Sequence, residues 1–132
     1  MSKLSDPTEW MRFAHDDLAA ARLLLAEATL PPRLACFHAQ QAAEKVFKAA
    51  LVNAGLPFRK THDLIVLAQL QPEPVRTELA TVDLERLQQW AVDARYPADL
   101  PEIDAQEAAS IVAIAERVVS IIAVYVNLSR EA

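Results

Sequence analysis

The stretch Gln40-Gln41-Ala42-Ala43-Glu44-Lys45-Val46-Phe47-Lys48 decides the fold class of this 132-residue chain. It contains no glycine or proline, and its apolar residues recur with the 3.6-residue period of an α-helix. On such a helix Gln41, Lys45 and Lys48 fall on one side, while the alanines and Val46 gather on the opposite side. The stretch therefore predicts a long helix with one polar face and one alanine-rich packing face.

The rest of the chain also has helical patterning. Eight prolines divide it into segments that lack the strict alternation of a β-strand. We predict a first helix from Pro7 to about Ala28, a second between Pro32 and Gly55, a short one after Thr61, a turn of helix and then a longer helix between Pro72 and Ala94, and a last one from Ala105 to about Leu128. The expected fold is a single all-α domain over residues 1–132, an antiparallel up-down bundle with four main helices and one or two short ones.

Particular residue types indicate where these helices end. Gly55, the single glycine, suits a C-terminal cap of the second helix. Thr61 is expected to be the N-cap of the short helix, with His62 and Asp63 in its first turn. Asp104 precedes the last helix and is expected to form a capping pair with a glutamate three residues later.

The first helix carries a charged residue within its apolar stripe. The stripe is expected to bury Trp10, Phe13, Ala14, Leu18, Ala21, Leu24, Leu25 and Ala28. Asp17 falls inside it, and a buried unpaired carboxylate costs several kcal/mol. Asp17 therefore either has a cationic or backbone partner, or lies at the edge of the stripe and reaches water.

The last helix is apolar over a wider arc than one packing face requires. Ile114 and Ile121 lie on one flank and Val112 and Val119 on another. The arc belongs either to a central helix of the bundle or to a helix that also packs on a second subunit. We expect the second arrangement, and hence a homodimer.

Composition limits the classes of function. A single glycine excludes the P-loop and the dinucleotide fingerprint, so side chains or helix ends must hold any phosphate. The lone cysteine, Cys36, is expected to be buried, which fits a reducing cytoplasm. The N-terminus lacks the apolar core of a signal peptide, and the run from Ile111 to Val126 contains charges and is too short to span a membrane. We expect a soluble cytoplasmic protein.

Charge is unevenly distributed along the chain. The net charge is −5, yet the segment from Ala28 to His62 contains five basic residues and one acid. The middle of the chain is thus the region that attracts anions. Such a patch on an acidic body suits a specific phosphate-bearing ligand or an acidic partner better than general binding to duplex nucleic acid.

Four segments together resemble the HEPN family, the higher eukaryotes and prokaryotes nucleotide-binding domain. They are the pattern from Trp10 to Ala21, the helix from Gln40 to Lys48, the Lys-Thr-His-Asp-Leu segment at 60–64, and Asp-Ala-Arg-Tyr-Pro at 93–97. The resemblance covers nearly the whole chain. It implies a compact helical domain, often dimeric, that contacts nucleotides or RNA.

The resemblance also implies a ligand site. Arg95 is expected to bind a phosphate and Tyr96 to stack on a base, with Lys45, Lys48 and His62 as further phosphate contacts. Supporting roles are expected for Asp17, Gln41, Asp63 and Asp93. Alternatively, Arg95 forms a structural ion pair with Asp93 or Asp17.

Three other functions are considered beside ligand binding. Ribonucleases of the family carry an Arg followed after four to six residues by a His, but Leu100, Pro101 and Glu102 occupy those positions after Arg95. The alternatives are a metal-independent ribonuclease toxin that uses His38 or His62 with Arg95, and a pure protein interaction module. Relatives with Ala-Arg-Tyr-Pro are similar to proteins encoded beside small nucleotidyltransferases, so a two-gene, toxin-antitoxin-like system with such a partner is expected. No cofactor is expected, and a zinc site from His15, His38 and His62 is disfavoured by their spacing.

Overall fold

The computed structural model describes residues 6–58, 60–91 and 102–131. These residues form six helices and no strand: α1 (Pro7–Ala26), α2 (Arg33–Asn53), α3 (Leu64–Gln69), α4 (Glu73–Leu79), α5 (Leu84–Gln88) and α6 (Ala105–Glu131). The predicted all-α class is confirmed. The prediction of a fourth main helix between Pro72 and Ala94 is wrong, because the described part of that segment holds two short helices, α4 and α5, and only α1, α2 and α6 are long. The predicted segment Asp93–Pro97 lies outside the described residues.

The long helices α1, α2 and α6 form the body of the bundle. α1 and α2 run antiparallel, and small side chains line their contact, which allows the two backbones to approach closely. Ala14 and Ala21 from α1 and Ala35, Ala39, Ala42 and Ala43 from α2 are completely buried. The alanine-rich packing face predicted from sequence is confirmed.

Local sequence explains where the helices begin and end. Gly55 has φ 69°, its N–H donates to the Val52 carbonyl at 3.1 Å, and the N–H of Leu56 donates to the Leu51 carbonyl at 2.9 Å. This is the pairing of a Schellman motif, which needs a left-handed residue and therefore favours glycine. At α6, the Asp104 carboxylate accepts from the N–H of Glu107 at 2.7 Å. The cap at Gly55 is confirmed. Of the predicted capping pair at α6, the bond from the N–H of Glu107 to Asp104 is confirmed, while no return bond from the Glu107 side chain to the N–H of Asp104 is found among the described residues.

The predicted start of α3 is wrong by two residues. Asp63 is its N-cap, and its carboxylate accepts from the N–H groups of Ile65 and Val66 at 2.9 and 3.2 Å. The Thr61 hydroxyl instead accepts from the N–H of Asp63 at 3.1 Å. Aspartate is at least as good an N-cap as threonine, and capping at Asp63 leaves His62 outside the helix.

Two predictions of burial in α1 are also wrong. Phe13 is 41% exposed, with the guanidinium of Arg12 over its ring, and Ala28 lies beyond the end of the helix and is exposed. Ala14, Leu18 and Ala21 are buried as predicted. The apolar stripe is therefore narrower than the sequence pattern indicated.

The wide apolar arc of α6 lies largely inside the chain's own core. Val112, Val119 and Ile121 are 2%, 4% and 7% exposed, whereas Val124 is 60% exposed. The prediction that the first three residues are surplus to the monomer is wrong, because α6 packs against both α1 and α2 and against the short helices α4 and α5. Ile114 is half-buried.

By length and composition, one segment of α6 could cross a membrane. The segment Ala105–Asn127 has a mean hydropathy of 2.0, so the prediction that this region is too short to span is wrong. The central helix of a soluble bundle meets the same criteria, and the apolar residues of α6 contribute to the intramolecular core.

Candidate functional site

The polar face of α2 is mostly covered by neighbouring elements. Gln40, Glu44 and Lys48 are buried, and Gln41 and Lys45 are half-buried. We call these five residues the polar strip. Each buried charge on the strip has a partner, as the cost of desolvating an unpaired charge requires.

The first charged cluster joins α1 to α2 through Asp17. One carboxylate oxygen of Asp17 pairs with the ammonium of Lys45, and the other lies 3.1 Å from Nδ1 of His38. The Asp17 side chain is 14% exposed, the Lys45 side chain 26% and the His38 side chain 43%. The prediction that Asp17 has a cationic partner if it is buried is confirmed.

The second cluster joins α2 to the segment before α3 through Glu44. Oε1 of Glu44 lies 2.7 Å from Nδ1 of His62, and Oε2 lies 3.5 Å from Nζ of Lys48. The Glu44 side chain is 5% exposed and the Lys48 side chain 9%, whereas the His62 side chain is 53% exposed. The half-exposed imidazole of His62 therefore contacts a carboxylate that also belongs to a buried ion pair.

Aromatic rings complete this second cluster. Trp10 from α1 and Phe58 meet edge to face with their ring centroids 5.8 Å apart. Nζ of Lys48 lies 5.7 Å from the Trp10 centroid and 5.8 Å from the Phe58 centroid, within the range of a cation–π interaction. The ammonium of Lys48 is therefore held by one carboxylate and two rings.

Amides of the polar strip and backbone contacts fix the position of His62. Nε2 of Gln40 donates to the His62 carbonyl at 3.3 Å, and Nε2 of Gln41 donates to Oε1 of Gln40 at 2.9 Å. The N–H of Leu64 donates to the side chain of Gln88 on α5 at 2.6 Å. The position of His62 is therefore fixed by the contact of its ring with Glu44 and by the hydrogen bond from Gln40 to its main-chain carbonyl.

Both histidines present the same chemistry. A carboxylate at Nδ1 favours the tautomer with the proton on that nitrogen, which leaves the Nε2 lone pair of a neutral ring available. This assignment follows from the heavy-atom geometry of the two pairs. Such a ring can accept a proton, or in its charged form donate a hydrogen bond to an anion.

The structure brings together six of the nine predicted site residues. Lys45, Lys48, His62, Asp17, Gln41 and Asp63 lie in or beside the two clusters, although Asp63 serves as the cap of α3. Arg95, Tyr96 and Asp93 lie outside the described residues. The two lysines are paired with Asp17 and Glu44, a pairing that the sequence interpretation did not anticipate.

Sequence reasoning missed Glu44, Gln40, Trp10 and Phe58 as parts of this site. The spacing of Glu44 and Lys48, four residues apart on a helix, was a usable signal of an ion pair. The contacts of Glu44 with His62 and of Lys48 with Phe58 had no local signal, because they join distant parts of the chain.

Neither a reactive cysteine nor a metal cluster is found among the described residues. Burial raises the pKa of the Cys36 thiol to about 12, so this thiol is not a nucleophile at neutral pH. Within 6–58, 60–91 and 102–131, no group of three His, Cys, Asp or Glu side chains could hold a metal ion.

Comparison with known proteins identifies a family. The model of the HEPN domain matches residues 8–125 of the chain. The crystal structure of ST0689, an archaeal HEPN homologue, is similar in fold, with a TM-score of 0.72 and 24% sequence identity over 92% of this chain and 98% of that one. No functionally curated protein has a significant match to the sequence.

Proposed function

The chain belongs to the HEPN family, and from this premise we propose that it binds a nucleotide or the phosphate backbone of RNA at the second cluster. The observation that carries this proposal is the half-exposed imidazole of His62, held on the buried Glu44 beside Lys48, Trp10 and Phe58. Imidazolium is a donor to phosphate oxygens, and an aromatic ring offers a surface for a base.

The distribution of charge supports a local rather than a general interaction with anions. Lys45 and Lys48 are paired with carboxylates, so their main effect is to neutralise Asp17 and Glu44. Without that neutralisation, the carboxylates of half-buried Asp17 and buried Glu44 would repel a phosphate. His62, with Arg95 and Tyr96 by family resemblance, would supply the direct contacts. Asp93 beside them keeps its predicted supporting role.

A small nucleotidyltransferase is the proposed protein partner, as in a toxin-antitoxin-like two-gene system. This part of the proposal rests on the resemblance of the Ala-Arg-Tyr-Pro segment at 94–97. A nucleotidyltransferase gene next to this one would support the partnership, and its absence would weaken it. Co-expression of the two proteins with a tag on one is expected to recover both, and failure to co-purify would contradict the partnership.

Binding is tested directly with two probes. We expect a fluorescein-labelled ten-nucleotide RNA or labelled 5′-AMP to bind the purified protein in fluorescence anisotropy at low salt. Affinity for the RNA is expected to fall with increasing salt, because phosphate contacts release counterions. Non-specific binding typically has a Kd of no more than about 0.1 mM. If neither probe binds at protein concentrations up to about 0.1 mM, the proposal is wrong.

A metal-independent ribonuclease is the second candidate, and a specific observation favours it. Two imidazoles lie on carboxylates, as general acid–base groups do. The His expected after Arg95 is nevertheless missing, so we expect no cleavage of RNA by the purified protein in EDTA. Cleavage that His38→Ala or His62→Ala abolishes would establish the ribonuclease instead, because a contaminating nuclease would be unaffected by these substitutions.

A further inference from the structure

The described residues of the second cluster have little uncompensated positive charge while His62 is neutral. Lys48 is balanced by Glu44 at 3.5 Å, and this pair is almost completely buried. Lys60 is exposed and has no ion-pair partner among residues 6–58, 60–91 and 102–131. An approaching phosphate therefore meets no uncompensated charge within the cluster, and the exposed ammonium nearest to His62 in sequence is that of Lys60.

Protonation of His62 would change this balance by a full charge. The groups that face its ring are Glu44 and Lys48 of α2, with Asp63 next to it in sequence. The Asp63 carboxylate is directed toward the first turn of α3, where it accepts hydrogen bonds from the N–H groups of Ile65 and Val66. Because Glu44 accepts at Nδ1, an added proton resides on Nε2, which has no partner among the described residues.

We infer that His62 is the proton-dependent contact of this chain with a phosphodiester of single-stranded RNA. Its Nε2–H donates to a phosphate oxygen while its Nδ1–H stays on Glu44. Formation of the complex from the neutral ring therefore takes up one proton, which comes from the solvent. This inference rests on the proposed function and adds to it the residue that regulates binding.

The surroundings of His62 favour a single strand over a duplex. Phe58 and Trp10 are half-buried rings beside the cluster, and bases of a single strand stack on such rings without regard to sequence. The net charge of −5 opposes the many phosphate contacts that duplex binding requires. One charged imidazole in a cluster that also holds two rings, both in contact with Lys48, instead suits one phosphate and its neighbouring base.

The test compares two histidines that have the same kind of partner. We would measure the affinity of a fluorescein-labelled ten-nucleotide oligouridylate at pH 6 and pH 8 for wild type, His62→Gln and His38→Gln. Glutamine can still donate to Glu44 or Asp17, so each pairing is retained. The wild type and His38→Gln are expected to bind on the order of tenfold more tightly at pH 6, the range in which histidine gains its charge. His62→Gln is expected to lose this difference.

A second measurement does not depend on the variant. Calorimetric titration of wild type with the same RNA at pH 7.5, in two buffers of different ionisation enthalpy, is expected to show net proton uptake. A phosphodiester does not titrate in this range, so the protein must take up the proton. If His62→Gln does not fold, the same titration of His62→Asn decides the question, because uptake by the wild type alone does not identify the histidine that takes up the proton.

The outcomes separate this inference from the proposed function. Binding that is independent of pH, that shows no proton uptake, or that keeps its pH dependence in His62→Gln overturns the role of His62 but leaves RNA binding intact. A pH dependence lost equally in His38→Gln also overturns it, because the effect would then not be specific to His62. Failure of the wild type to bind the RNA at either pH overturns this inference, and it overturns the proposed function as well if labelled 5′-AMP also fails to bind.

Discussion

Nδ1 of His62 lies 2.7 Å from Oε1 of Glu44, although 18 residues separate the two in sequence. This contact fastens the segment before α3 to the middle of α2 and places a half-exposed imidazole on a buried carboxylate. The same carboxylate pairs with Lys48, so one residue links an internal ion pair to the surface.

Glu44→Ala should be strongly destabilising. It leaves the ammonium of Lys48 buried without its carboxylate, and breaking a buried pair in this way costs about 3–5 kcal/mol. The double variant Glu44→Leu/Lys48→Met should recover most of the loss, because it removes both charges and keeps apolar volume. Urea unfolding measures both.

Glu9→Ala is the matched control for Glu44→Ala. Glu9 pairs with Arg12 at the surface, where an ion pair contributes about 0–1 kcal/mol. If Glu44→Ala lowers the free energy of unfolding no more than this control does, the folded state does not depend on Glu44 to compensate the charge of Lys48.

Stability should decline at alkaline pH partly through Cys36. Burial raises its thiol pKa from the ordinary value of 9.0 to about 12. The folded state thus holds this proton more tightly than the unfolded state, so the contribution is complete below pH 9 and is lost as pH rises toward 12. Between pH 8 and about pH 10.5, wild type should lose more free energy of unfolding than Cys36→Ala. Equal losses of free energy of unfolding in the two proteins would show that burial does not raise the pKa of this thiol.

Substitutions on α6 distinguish its buried face, which belongs to the core of the chain, from its exposed face, which is available as the interface of the predicted homodimer. Ile121→Glu should prevent folding, because Ile121 is 7% exposed within the core of the chain. Val124→Glu should fold, because Val124 is 60% exposed. If the outer face of α6 is the dimer interface, light scattering should give a dimer for wild type and a monomer for Val124→Glu at micromolar concentration.

The result for wild type decides the oligomeric state by itself. A wild-type monomer would rule out the proposed dimer, and a dimer that persists in Val124→Glu would place its interface elsewhere. A folded Ile121→Glu would contradict the burial of Ile121 in the monomer.

Arg95→Ala should abolish binding of the ligand or of the protein partner without unfolding the protein. Arg95 lies outside the described residues, and the expectation rests on its place in the Ala-Arg-Tyr-Pro segment. RNA binding and thermal unfolding of the two proteins provide the measurements. A loss of more than about 3 kcal/mol in stability would identify Arg95 as part of a buried ion pair and contradict the binding role.

The sequence by itself determined the family, the all-α class and the packing face of α2. These properties depend on local order: the 3.6-residue period, the prolines, Gly55 at a left-handed position and Asp104 as a cap. Each acts within a few residues of the chain, so each leaves a pattern that is visible without coordinates.

Only the tertiary structure decided which polar residues are compensated. The sequence pattern of the polar strip fits a helix face in water equally well, yet in the structure the neighbouring elements cover most of it. Asp17 pairs with Lys45 across the α1–α2 contact, and Glu44 meets His62 after the chain has turned back from α2. The free energy of a charge depends on its distance from other charges and on its exclusion from water, and both depend on how distant segments pack.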